Sequence, residues 1–564
     1  MILELAARAP RRLRESTPIT SWNLNGRELD SRPITRTGIV PTHAPIGFSL
    51  RPARTTRARD PRCSLATARR PSPLDEEQAM KRDPCVLGID LGTGSTKAIL
   101  LDASGVELAV ASVPVRLSRP RPGWVESDPE NWWLSVKGAV AKVLETAESS
   151  VRAIGLSGQM HGVVLTHADG RPLRPAVLWL DRRAGTSLDA YRALQPATRA
   201  LLGNPLVPGM AGPLLHWLAA QEPAVLRDAE WALQPKDWLR LRLVGLAGSE
   251  ASDASGTLLF DVFQNTWALP IVEALGIPAR LLPPLSACDA VAGPLDVSIA
   301  RELGLPGGIP VAFGAADTAA ALVGTGLSET GPVQLTVGSA AQVVTLRGLP
   351  RPDPELRYHV FASAVPGLWY AMAAVQAVGV ALSWALNAFN ATWEEAYEML
   401  DAAPCGGADS PVFIPHLAGA RSPSMNTSAR AGFLGLELRH DRADLLRAVF
   451  EGVAFSIAEA ADALPEFVDT SDLYLAGGGT LHRTWRQLLC DLLARRLLIV
   501  ENPNASARGA ALLGGRAAGI IGKAGPVLPV VDELKPEPRA HELLAMAFER
   551  WKRAETSSVG NSPH

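Results

Sequence analysis

Cysteine is scarce in this chain: five in 564 residues, at positions 63, 85, 288, 405 and 490. They are scattered, odd in number and lack metal-type pairing. That argues against a disulfide framework and fits a reducing compartment, so a cytoplasmic setting is expected. Net charge is small as well. Fifty-five Lys and Arg against 57 Asp and Glu leave −2 at pH 7, so no global basic field favours nucleic acid or an anionic membrane surface. Neither is expected as a partner, whereas small neutral or anionic ligands stay open. Long unbroken apolar runs are missing too. The longest apolar stretch, 368–386, is interrupted by Tyr370, Gln376 and Ser383 and has no flanking Lys or Arg cluster, so it reads as a buried helix and not a membrane span. The early arginines are not followed by an apolar run of signal-peptide length.

Lysine is absent before Lys81. Residues 1–83 are rich in arginine, dotted with Pro, Ser and Thr, and without sustained periodicity. This extension is expected to be disordered, or to reflect a start codon placed too far upstream, with Met80 the natural start. What remains is globular in composition, 47% hydrophobic overall and long enough for about two to four domains.

From about residue 84, strand-like runs alternate with helical ones, which predicts an α/β fold. The stretch VLGIDLGTGSTKAILLD (86–102) joins two strands through a Gly-rich turn. Gly92 and Gly94 permit positive φ and let backbone N–H groups crowd around phosphate oxygens, while Thr93 and Ser95 can add hydroxyl donors. An ordinary glycine hairpin is the simpler alternative. Asp90, ending the first strand, is placed to hold a hydrated Mg²⁺. Val151–Leu156 and Gly162–Thr166 read as strands, and Trp132–Ser149 as a helix. VQLTVGSAAQVVTL (333–346) repeats the first theme around the turn Gly338–Ala341, which suggests a duplicated fold with one phosphate loop in each half. A third turn, YLAGGGTLHRTW (474–485), is a candidate adenosine site, because backbone at a glycine run can pass close to a flat ring.

These three turns, in this order, resemble the sugar kinase, heat-shock protein and actin ATPase superfamily. GLSGQMHGVVL (155–165), KDWLRLRLVG (236–245), SDASGTLLFDV (252–262) and GAADTAAALVGTG (314–326) narrow the resemblance to the FGGY carbohydrate kinases, with QMHG similar to their xylulokinase branch. The resemblance implies two actin-like (ribonuclease H-like) α/β domains around a central cleft. It places a sugar-binding N-terminal domain at 84–328, an adenine-binding C-terminal domain at 329–545 and a flexible tail at 546–564. It also implies ATP-dependent phosphorylation of a sugar hydroxyl with Mg²⁺, in xylulokinases the O5 of D-xylulose, and a homodimer as the assembly to look for.

Carried over motif by motif, Asp317 matches the catalytic aspartate that accepts the proton of the attacking hydroxyl, although Asp is also a good helix cap. Asp90 matches the aspartate near Mg²⁺, which keeps several waters and needs few protein ligands. Met160 and His161 match the pair lining the sugar pocket. Asp181 matches a second sugar-side acid, unless it forms a surface ion pair with Arg182 or Arg183, and Trp179 is a candidate wall for the sugar's apolar face. Gly338 and Ser339 match the second phosphate hairpin, and Gly478 and Gly479 the adenine-proximal turn. Asp253 reads as part of a polar turn before a strand, and Lys236 with Asp237 as a local polar pair in a helix.

Three departures bear on the substrate. Thr318 stands where xylulokinases often carry an amide, Leu180 where Asn or Gln is usual, and Ala420 where many relatives have Glu. Specificity built on hydrogen bonds to hydroxyls is sensitive to such losses. Sister kinases acting on ribulose, another ketose, a polyol or a sugar acid therefore remain alternatives, with a non-catalytic sugar sensor a remote one.

Overall fold

A computed structural model describes residues 83–559, apart from 147–148, 403–406, 408, 481, 501–503 and 523–527. The expectation for the leader concerns residues that lie almost wholly outside this range.

Strand β1 (Pro84–Leu91) is apolar without alternation, the pattern of a strand covered on both faces, and it is buried from Cys85 to Ile89. It pairs antiparallel with β2 (Ser95–Asp102), which places Asp90 opposite Lys97. The next strand, β3 (Glu107–Pro114), alternates in exposure, as an edge strand with one solvated face does. Helix α1 (Pro129–Thr146) buries Trp132, Trp133, Val136 and Val140 and leads to β4 (Ser150–Gly158), parallel to β1. After helix α2 (Pro235–Val244) come β5 (Val291–Pro294), β6 (Pro310–Ala312) and β7 (Ala315–Ala316). The first sheet runs β5-β6-β4-β1-β2-β3, with β7 also beside β4. Helix α3 (Asp317–Thr325) follows β7 directly.

The second half repeats the plan. Strands β8 (Val333–Val337) and β9 (Ala341–Arg347) form an antiparallel hairpin, followed by β10 (His359–Ala362) and β11 (Trp369–Val375). Helices α4 (Gly379–Phe389) and α5 (Arg442–Asp462) precede β12 (Asp472–Ala476), which runs parallel to β8 as β4 does to β1. Then come α6 (Arg483–Leu493), β13 (Arg496–Val500), α7 (Ala505–Ala517), β14 (Val530–Leu534) and α8 (Pro538–Val559). The order is β10-β11-β9-β8-β12-β13-β14. The duplication expected from the two hairpins is present at the level of whole sheets.

Two expectations are corrected. The apolar stretch 368–386 is not one helix: it divides into β11 and α4, because Tyr370 to Val375 pair across β9 before the chain turns at 376–378. The tail expected from 546 is helical through Val559. Trp551 is fully buried, and its indole N–H donates to Phe413 O at 2.9 Å.

Helix α7 crosses from the second half onto the first. Side chains are absent where it makes contact: a Cβ on Gly88 would strike Ala507 O, one on Gly155 would strike Ala510 O, and one on Gly324 would strike Ala505 O. Gly509 and Gly514 of α7 answer in kind against Ala320 and Gly155. Backbones approach this closely only where Cβ atoms are missing. Gly155→Ala is expected to cost about 1–3 kcal/mol through overpacking, read as a lowered denaturation midpoint. An unchanged midpoint would mean that the contact is slack.

Candidate active site

Sheet register brings the two acids to one end of the first sheet. Asp90 lies opposite Ser157, and Ser157 lies opposite Ala315, two residues before Asp317. Ala316 N also donates to Ser252 Oγ at 3.0 Å, pinning the start of α3. Within that first turn, Thr318 donates to Asp317 Oδ1 from its amide at 2.6 Å and from its hydroxyl at 3.2 Å. Burial, then the nearby Asp90, pushes the Asp317 carboxyl up to about 7. Burial likewise raises Asp90, against the pull of the Ser506 and Ser157 hydroxyls and the Lys97 charge. One oxygen of Asp90 is buried without a hydrogen-bond partner. A partnerless carboxylate oxygen is costly and suits a hydrated divalent cation, so Asp90 fits the Mg²⁺ role. Among the described residues no cluster of three or more His, Cys, Asp or Glu gathers as a metal site.

Asp317 and Thr318 open onto a cavity of about 120 Å³ that Thr93, Met160, His161 and Trp179 also line. His161 holds φ at +74°, uncommon for a non-glycine residue. Its Nδ1 lies 2.6 Å from Gly256 O. A carbonyl only accepts, so Nδ1 carries the proton and Nε2 keeps a free lone pair. Burial, outweighing that hydrogen bond and helped by the Arg421 charge, lowers the imidazole to about 4, so it is neutral at pH 7 and accepts from a hydroxyl. Gly256, in the SDASGT motif, is required here, since a Cβ would come within 2.9 Å of both Met160 and His161. The Trp179 indole donates to Thr93 Oγ1 at 2.9 Å, and that hydroxyl donates to Gln159 Oε1 at 3.0 Å. The first glycine turn is thereby tied to the wall of the cavity.

Asp181 does not line this cavity. It is buried, accepting from Val125 N at 2.6 Å and from the Arg183 amide and guanidinium at 2.8–2.9 Å. Its partner is Arg183, as one alternative had it, but the pair is interior and holds the loop in place. Lys236 and Asp237 pair within α2, as expected, but the pair is interior and extends to Asp253. With Glu250 they form a wholly buried cluster, Lys236 Nζ lying 2.6 Å from Asp237, 3.2 Å from Asp253 and 3.4 Å from Glu250.

A second groove, about 640 Å³, unites Gly338, Ser339, Gly478 and Gly479 with the half-exposed indoles of Trp384 and Trp393. A Cβ on Gly479 would crowd Val337 O at 2.9 Å, so bare backbone lines this wall. In the first hairpin the reason for glycine differs from the expected one: neither Gly92 nor Gly94 adopts positive φ. A Cβ on Gly92 would sit 2.9 Å from Ser95 O, while Gly94 faces open space. Sequence reasoning missed Gln342, Gln376 and Arg421 in the smaller cavity and both tryptophans in the groove. Gln342 lies within a strand and the tryptophans within helices, while Gln376 and Arg421 lie on irregular segments whose place beside the cavity no local pattern announces.

Models of the N-terminal and C-terminal domains of the FGGY family of carbohydrate kinases match residues 85–324 and 334–518. The xylulose kinase of Escherichia coli (strain K12) is 34% identical over 73% of this chain and 85% of its own length. The glycerol kinase of Alkalilimnicola ehrlichii is 30% identical over 83% of this chain and 97% of its own length. A solved xyloylose kinase structure from Brucella ovis superposes with a TM-score of 0.79 at 32% identity, covering 85% of this chain and 100% of that one. The chain belongs to the FGGY family of carbohydrate kinases. It is a sugar phosphotransferase using ATP.

The raised Asp317 carboxyl makes a prediction about stability. An acid that holds its proton more tightly in the folded state than in the unfolded one weakens the fold as pH rises from about 4 through about 7. Asp317→Asn is neutral throughout, so its Tm advantage over the parent should grow between pH 4 and pH 8. A pH-independent difference would contradict the shift.

Proposed function

We propose that the protein transfers the γ-phosphoryl group of ATP to O5 of D-xylulose, giving D-xylulose 5-phosphate and ADP. The observation that carries this reading is the shared cavity of Asp317, a carboxylate able to take a proton near neutral pH, and His161, a neutral imidazole with its acceptor nitrogen free. Asp317 orients the hydroxyl and receives its proton as the new O–P bond forms and the bond from the γ-phosphorus to the bridging oxygen breaks. The Gly92–Ser95 and Gly338–Ala341 turns hold phosphates, and the groove with Gly478, Gly479, Trp384 and Trp393 takes the base. Asp90 would hold Mg²⁺, which supplies charge neutralisation at the phosphates. Met160 and Trp179 give the sugar an apolar wall. Xylulose kinases among the relatives support the choice of sugar. The buried free thiols Cys85, Cys288 and Cys490 support a reducing, cytoplasmic setting.

A second reading, a sister kinase for another ketose, a polyol or a sugar acid, is favoured by Thr318, whose hydroxyl is engaged with Asp317 and lies 3.4 Å from Gln342. ADP release with MgATP against D-xylulose, D-ribulose, L-ribulose, glycerol and gluconate separates the two. D-xylulose should give the highest kcat/KM, with an acid limb near pH 7. Asp317→Asn should lower turnover about 10²–10⁴-fold. A different preferred acceptor would reassign the pocket, and normal turnover by the variant would remove Asp317 from the mechanism.

A further inference from the structure

The cavity contains a charged residue that the phosphoryl-transfer reading leaves unused. Arg421 lines it beside His161 and Gln376, and its guanidinium lies over the Trp179 ring, 5.4 Å from the centroid. No hydrogen bond or carboxylate partner reaches that guanidinium among the described residues. Its neighbour Ala420 is buried and uncharged. Asp181 is committed to Arg183. The other charge bearing on Arg421 is a second cation, Arg182, which donates to Ala418 O at 2.6 Å. Burial and Arg182 together lower the guanidinium to about 10. The imidazoles at this end, His161 and His359, are both held neutral, and the one carboxylate in the cavity, Asp317, responds to Asp90. The side chain is half-buried and opens onto the cavity, so a ligand that displaces water there leaves the guanidinium unsatisfied unless it accepts from it. Its planar fork is matched best by sp² oxygens, bidentately by a carboxylate.

We propose that Arg421 is a specificity-determining residue, which selects acceptors carrying a planar oxygen, ketone or carboxylate, at the end of the molecule away from the hydroxyl that meets Asp317. This rests on the cavity being the acceptor site. A polyol with the same carbon chain places only hydroxyls there and leaves the guanidinium poorly satisfied. A site built around such a group discriminates strongly against the analogue that cannot pair with it.

Three five-carbon acceptors with a free 5-hydroxyl test this: D-xylulose, D-xylonate and xylitol. In the parent protein the ketone or the carboxylate should exceed xylitol in kcat/KM by about 10²-fold or more, and which of the two leads identifies the oxygen read. Arg421→Met should bring the ratio to within about tenfold of one. Arg421→Lys, which keeps the charge but not the fork, should fall between, and Tm values matching the parent's would show both variants folded. Equal use of all three by the parent overturns the proposal, as does a variant that loses activity on all three in the same proportion, the pattern of a group acting on ATP. Titration calorimetry of the same acceptors on the ATP-free protein reads the preference without turnover. Absence of ADP release from all three would therefore count against the kinase reading, whereas equal affinities would count against Arg421.

Discussion

The contact of α7 with β1, β4 and α3 is the constraint on which the rest of the molecule depends. It is a contact of backbone on backbone, built from Gly88, Gly155, Gly324, Gly509 and Gly514, with alanines filling the intervals. Such packing has almost no tolerance for added volume. It also has a chemical result. The same helix that closes the first sheet carries Ser506, whose hydroxyl meets that of Ser157 at 2.7 Å beside Asp90. The carboxylate at the end of the first strand thus sits among groups from both ends of the described chain, and the site and the junction between the halves are one place.

Electrostatics in the site follow from enclosure more than from formal charge. Two carboxyls, Asp90 and Asp317, share one end of the sheet: burial raises both, and the charge of Asp90 raises Asp317 further. Nearby, a larger charge cluster is buried with its ions in contact, three acids against two bases, and burial holds the Asp253 carboxyl well above the usual carboxylate range. Lys236 and Arg240 face Asp237, Glu250 and Asp253, and Glu250 in turn accepts from Ser252 N at 2.6 Å. Because Ser252 Oγ accepts from Ala316 N, this cluster braces the strand end from which Asp317 projects. The contrast between these paired interior ions and the unpaired guanidinium of Arg421 separates structural charge from charge kept available for a ligand.

The sequence made much of this legible because glycine turns between apolar strands have few alternatives. The hairpins at 92–95 and 338–341 and the turn at 478–480 stand where the residues imply. QMHG and GAADT end at one cavity because β4 and β7 are neighbours, although the residues between them carry no pattern announcing it. Other features were hidden for identifiable reasons. An apolar run such as 368–386 has the same composition whether it forms one helix or a strand followed by a helix, and only its pairing with β9 decides. Asp181 and Arg183 adjoin in sequence as a surface pair would, yet their burial depends on Val125 and Glu126 far away. The glycines of α7 read as an unremarkable Ala/Gly helix until the strands they meet are known.

Residues 505–517 leave the ribosome long after residues 84–158. Even after the last strand of the first sheet is made at Ala316, an interval on the order of ten seconds or more at about 5–20 residues per second passes before the helix that packs on Gly88 and Gly155 follows. Domain-by-domain folding during synthesis, the usual route for a chain of this size, therefore leaves the N-terminal half without this contact until the second half is made. A nascent chain stalled before α7 has every strand of its first sheet yet leaves the glycines Gly88 and Gly155 without the backbone they were shaped to meet.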